Sequence, residues 1–240
     1  MNKKVAIHQP EFFPWLGFFY KLQASDYFVI LDVAQYNKQD YQNRNTILCS
    51  EHAGWITVPL LKHNTGILIE DVLICNTIKW QRKMLEKLFQ YYHTDVYYKE
   101  IVELFEPVWN EKWEKLVDLN IFIIRQIVSY LQINVDLYLA SDLIGNLHDF
   151  SHLTASEKNL SICRKLNASQ YISGIYGKKY LDSESFAVEN IDIEYSSYPI
   201  NDTNYSILHY LFKNGVQVKN FFENGLIGKA GNSYEKNLLD

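Results

Sequence analysis

Four polar clusters in this 240-residue chain combine side chains that could do chemistry. His8-Gln9-Pro10 interrupts an apolar run, and a histidine titrates near neutrality, so proton transfer is open to it. Asp32 and Gln35 follow a second apolar run; a carboxylate and an amide there could accept bonds from sugar hydroxyls. Gln42-Asn43-Arg44-Asn45 sets a guanidinium among amides, and that fork suits a carboxylate or a diphosphate. Ser173-Gly174-Ile175-Tyr176-Gly177-Lys178-Lys179 has two glycines that can open backbone N–H groups to an anion, with lysines beside them. Trp15 adds a ring able to stack on a base or sugar.

The elements that must position these groups follow from apolar spacing. Val5-Ala6-Ile7 reads as a buried strand ending at His8. Pro14 to Ala24 has helical spacing, with Pro14 in the first turn and Gly17 inside it at a cost of roughly 1 kcal/mol relative to Ala. Tyr27 to Leu31 is a second strand ending at Asp32. Strand, helix and strand in so few residues form a βαβ unit with parallel strands. Ligands of open parallel sheets bind beyond the carboxyl ends of strands, where His8, Gln9 and Asp32 stand.

Further along, 41–48 and 55–60 read as a hairpin about a turn at Glu51 to Gly54, and 67–74 as another strand. Helical periods follow over 77–92, with Thr77 as cap, then over 96–105 and 112–131. The stretch 77–132 is expected to be a helical insertion or cover within one α/β domain spanning 1–240. Strands are expected at 136–140, 170–173 and 191–198, with helices at 154–166 and 205–213. The segment around His148 and His152, LHDFSHLT, reads as loop, and the tail after Gly225 as frayed. The expected fold class is α/β with an open, mostly parallel, Rossmann-like sheet.

Composition narrows the function. A net charge of −5 gives no basic footprint for nucleic acid. Three scattered cysteines form no metal-ligand pattern, so no metal is expected, and they fit a reducing cytoplasm. No apolar run reaches the length of a membrane span. The 18 Tyr and 13 Phe supply packing area beyond ordinary use, part of which could line a pocket.

Two resemblances extend this reading. IHQPEFFPWLGFFYKL, DYFVILDVAQY and NRN resemble the start of the WbqC-like proteins of bacteria. Leu160 to Leu166, SGIYGKKYL, IEYSSY and SILHYLF carry the likeness over most of the chain. It departs at His209, near which an acidic residue would be expected. The family takes its name from a protein encoded with O-antigen and surface-polysaccharide genes. The resemblance therefore implies a transferase acting on a nucleotide-linked amino sugar, by N-acyl or aminoacyl transfer. It implies a nucleotide-sugar substrate, an acyl- or aminoacyl-carrier donor such as a carrier protein, and is compatible with a homodimer. In that reading His8 is the base, Ser173 and Lys178 serve the reaction, and Gln9, Trp15, Asp32, Gln35, Asn43, Arg44, Gly174 and Gly177 bind substrate. The strand–His–helix opening also resembles the HIGH-type nucleotidyltransferases, although Phe12, Phe13 and Trp15 fill the space of their second histidine. That implies an alternative enzyme using ATP or CTP. A non-catalytic scaffold of a glycan-assembly complex is the third reading.

Overall fold

The first βαβ unit forms as the spacing predicts. Strand β1 (Lys4–His8), helix α1 (Leu16–Gln23) and strand β2 (Tyr27–Ile30) set β1 parallel to β2, with Val5 opposite Tyr27 and His8 opposite Ile30. This is a computed structural model, and it describes residues 3–196, 198 and 205–223. The tail after Gly225 lies outside the described residues.

A two-stranded antiparallel ribbon follows, β3 (Arg44–Cys49) and β4 (His52–Thr57). Its turn falls at Ser50-Glu51, two residues earlier than the glycine suggests, with Ser50 at φ 57°. The stretch 67–74 is not a strand. A 3-10 turn at Ile69–Asp71 interrupts it, and only single bridges join it to Gln35, Leu60 and Lys115. Glu70 and Asp71 favour water over a ladder position, which divides the apolar run.

Four helices then occupy the region read as helical: α2 (Trp80–Tyr92), α3 (Tyr98–Leu104), α4 (Glu106–Asn110) and α5 (Leu116–Tyr130). Helix α2 starts at Trp80 with Lys79 as its cap, later than Thr77, whose hydroxyl lies 3.2 Å from the Cys75 thiol. The apolar stripe of α5 buries Leu119, Ile123, Ile124 and Ile127 completely. Each such side chain contributes roughly 1.5–3 kcal/mol.

The sheet resumes with β5 (Asp136–Leu139). Helices α6 (Ala140–Leu143), α7 (Leu147–His152) and α8 (Ala155–Lys165) lead to β6 (Gln170–Ser173). Helix α7 replaces the loop expected around His148; the Asn146 side chain caps it by accepting from the His148 N–H. Helix α8 opens with a reciprocal capping box between Thr154 and Glu157. Helix α9 (Ser183–Val188), β7 (Asp192–Tyr195), α10 (Ile207–Asn214), a 3-10 turn (Gly215–Lys219) and a short helix α11 (Asn220–Glu223) complete the order of the described residues.

The strands pair as β5-β2-β1-β6-β7, and every pair is parallel. Alternate residues feed two cores. Ala6, Phe28 and Ile30 meet α1, α5 and α10 on one face. Val5, Ile7, Val29 and Tyr171 meet Leu160 of α8 and Phe186 of α9 on the other. Helices on both faces make a doubly wound, Rossmann-like sheet. In order of appearance the parallel strands run 3-2-1-4-5, so the direction of winding reverses between β1 and β6. A crevice must open there, beyond His8 and Ser173.

Candidate functional site

A cavity of about 570 Å3 occupies that crevice. Its walls come from the end of β1 and the loop after it, from 31–42, from α8, and from the segment after β6. The size is in the range of small-ligand sites.

The loop His8 to Pro14 is held from four directions. The Phe12 N–H donates to the Tyr41 carbonyl at 3.0 Å. Asn45, fully buried, donates to the carbonyls of Phe12 and Phe13 at 3.3 and 2.8 Å. Asn120 donates to Pro10 and Gln42, and the Ser206 hydroxyl to Phe13 at 2.8 Å. These bonds sustain Phe13 at φ 43°, an uncommon value for an aromatic residue. A loop over-determined in this way presents His8, Gln9 and Glu11 in fixed positions.

His8 opens onto the cavity with its side chain 29% exposed. Its Nδ1 lies 3.0 Å from the Gln9 carbonyl oxygen, which can only accept. The neutral ring therefore carries its proton on Nδ1 and its lone pair on Nε2. Phe18 meets the ring edge-on at 5.0 Å. Desolvation first, and the Lys21 ammonium second, hold the imidazolium down, to a pKa of about 3. At neutral pH the ring is uncharged.

Two further charges line the cavity. Lys21 of α1 is buried and donates to the Ile7 carbonyl at 2.8 Å, at the end of β1. Burial lowers its pKa to about 7, against the pull of Glu11. Glu11 is buried, and desolvation raises its carboxyl to about 8. Its Oε1 is 3.8 Å from His8 Nδ1, and its Oε2 has no hydrogen-bond partner among the described residues. Neither residue stands out in the sequence. Glu11 sits inside a run read as aromatic core, and Lys21 looks like a solvated helix lysine. The available signal was a single carboxylate between Pro10 and Phe12, in a segment otherwise fit for burial.

Of the residues singled out from sequence, six line the cavity: His8, Gln9, Gln35, Ser173, Gly174 and Gly177. The Gln9 side-chain oxygen accepts from the Gln42 amide. The buried Ser173 hydroxyl donates to the Gly174 carbonyl at 3.1 Å. Gly177 lies so close to that hydroxyl that a Cβ there would collide with it. Lys158 and Asn159 of α8 and Tyr180 complete the far wall.

The other five stand elsewhere. Asp32 is buried under the start of α6, accepting from the Ser141 N–H at 3.0 Å and its hydroxyl at 2.5 Å. Arg44 lies over the Trp55 ring at 4.4 Å and donates to the Gln39 carbonyl. Asn43 accepts from the Tyr36 hydroxyl and donates to the Val58 carbonyl, both at 2.9 Å. Trp15 meets Tyr198 edge-on at 5.5 Å, and its indole fills the space a Cβ on Gly17 would need. That close approach accounts for a glycine inside α1. Lys178 lies over the Tyr195 ring at 5.1 Å. His209, near which the resemblance implies an acidic residue, does not line the cavity and has its Nδ1 3.1 Å from the Tyr92 hydroxyl.

The described residues contain no cluster of three or more His, Cys, Asp or Glu able to hold a metal ion. Among them, no helix is long and apolar enough to cross a membrane.

The uncharacterized protein Rv1507c of Mycobacterium tuberculosis is 31% identical over 199 residues, covering 82% of this chain and 83% of that protein. No solved structure matches. The model of the WbqC-like protein family matches residues 9–219, and the chain belongs to that family.

Proposed function

We propose that the chain is a transferase that acylates the amine of a nucleotide-linked amino sugar, with His8 as the general base. The observation that carries the reading is the state of His8. It is neutral, its Nδ1 proton is engaged by Gln9, and its ring opens onto a cavity at the sheet's switch point. Acyl transfer to an amine requires such a base. The amine nitrogen attacks the acyl carbon of a carrier-bound ester or thioester. His8 Nε2 takes the proton that nitrogen loses, and the carrier leaves as alcohol or thiol. The Gly174 N–H, at the end of the neighbouring strand β6, is the donor assigned to the developing oxyanion; the Ser173 hydroxyl joins it only by giving up its bond to the Gly174 carbonyl. Of the two lysines that line the cavity, Lys21 is engaged by the Ile7 carbonyl, and Lys158 is the one assigned to a diphosphate, in place of Arg44 and Lys178.

The alternative, nucleotidyl transfer from ATP or CTP, draws on the strand order and on a histidine at the end of β1. That role asks the histidine to give a proton or hydrogen bond to phosphate. A ring whose N–H already points at a carbonyl is poorly prepared for it. The free Nε2 lone pair fits a proton acceptor better than a proton donor.

A thermal-shift screen against UDP-, dTDP-, GDP- and CDP-sugars, ATP or CTP with magnesium, and CoA separates the readings, because a ligand of the native state raises its melting point. A shift with a nucleotide sugar is the expected result. A shift with ATP or CTP alone, accompanied by pyrophosphate release, would replace acyl transfer by nucleotidyl transfer. No shift with any of them would favour a scaffold.

A further inference from the structure

We infer that Glu11 docks a primary ammonium group of the ligand beside His8 and thereby selects amines over alcohols. The inference rests on the reading of the cavity as an acceptor site and names the acceptor's distinguishing group. Glu11 is 8% exposed and lines the cavity, and its Oε2 is buried with no donor among the described residues. Buried acceptors in native proteins are hydrogen-bonded with few exceptions, so an orphan on a residue that lines a ligand cavity points to the ligand as the source of the donor. Lys21 does not fill that place. No ion pair within 4.0 Å joins it to Glu11, and its amine donates instead to the Ile7 carbonyl.

The number of hydrogens decides between amine and alcohol. A hydroxyl carries one, which cannot serve both the Glu11 carboxylate and the His8 lone pair. An ammonium carries three. One can bond Glu11 while another faces His8, which takes it as the nitrogen lone pair is freed. The positive charge also compensates a carboxylate that burial otherwise drives toward its neutral form. Rejection of the alcohol follows because it leaves one buried acceptor unpaired.

UDP-glucosamine and UDP-glucose differ at a single position, amine against hydroxyl, and their Kd values for the full-length chain at pH 7 test the inference. UDP-glucosamine should bind at least tenfold more tightly. Glu11→Gln should bring it down to the UDP-glucose value and leave UDP-glucose unchanged. Equal affinities in the wild type, or an amine preference that survives Glu11→Gln, would overturn the assignment. Should neither nucleotide sugar bind, the nucleotide-sugar reading fails by itself, and free glucosamine against free glucose carries the same comparison. No preference there overturns the Glu11 assignment as well. Replacing Glu11 alone by Met, which leaves the Lys21 bond to the Ile7 carbonyl in place, gives an answer without ligand. An orphaned acceptor predicts a higher melting point for this variant; a marked fall would mean that Glu11 has a structural role instead.

Discussion

The ends of β1 and β2 differ in one respect that separates a site from a scaffold. Both strands finish in a polar group that the sequence presents alike, His8 and Asp32. At β2 the neighbouring strand β5 runs straight into α6, and Ser141 closes over Asp32 with two hydrogen bonds. At β1 the next strand is β6, and the chain leaves these two strands toward opposite faces of the sheet. Among the described residues no donor closes over the Glu11 Oε2, and the His8 side chain stays 29% exposed. A polar residue at a strand end is therefore only half of the condition. The other half is a topology that leaves its partner positions vacant.

Breaking the β1 end should cost function and spare the fold. His8→Gln keeps the size and polarity of the side chain but removes the base. Turnover should fall by about 10²–10⁴, with the melting point little changed. Unchanged turnover in a folded variant would remove His8 from the chemistry. Breaking the β2 end should do the reverse. Asp32→Ala removes the buried acceptor of the Ser141 N–H and hydroxyl; Ser141 itself is exposed and water can take up its donors, so the chain should be destabilised by about 1–2 kcal/mol in urea unfolding. Ligand affinity, corrected for the folded fraction, should stay within a factor of two or so, since the effect of the lost bonds is on folding. A loss of affinity with full stability would mean that Asp32 reaches the ligand after all.

The β6 end gives a gentler contrast. A Cβ at position 177 would collide with the Ser173 hydroxyl. Gly177→Ala must displace that side chain or the turn that follows, at about 1–3 kcal/mol. Because Ser173 faces the cavity, ligand affinity should fall as well. Equal affinity in the variant would place Ser173 outside ligand contact.

What the sequence disclosed, and what it hid, divides along similar lines. Period-two and helical patterns located β1, β6, the 44–57 ribbon and α5, since their apolar residues repeat without interruption. Parallel pairing followed from the short βαβ connection. Segments with mixed character misled: LHDFSH looked like loop because its polar residues obscure a six-residue helix capped by Asn146. The site was legible only where chemistry coincided with a strand end. Arg44 is placed by β3 and drawn onto Trp55, a neighbour that no local pattern reveals. Glu11 and Lys21 became visible only through burial, which depends on contacts among distant segments.

The smallest expected effect concerns pH and compares His8 with a histidine remote from the cavity. Burial lowers His209, like His8, to a pKa of about 3, with Lys213 as the second cause. The ordinary value is about 6.5. Between these limits the unfolded chain binds a proton that the folded chain refuses. Both residues therefore contribute stability that is complete above pH 6.5 and declines as pH falls toward 3. His209 is 8% exposed and packs on Tyr92, whereas the cavity leaves the His8 side chain 29% exposed to water, which screens its part. Melting points measured from pH 7 to 4 should accordingly flatten more in His209→Gln than in His8→Gln, each compared with its own value at pH 7. The reverse order would show His8 to be the drier of the two, sealed from the cavity it faces, and would count against its role as a base that exchanges protons with a ligand.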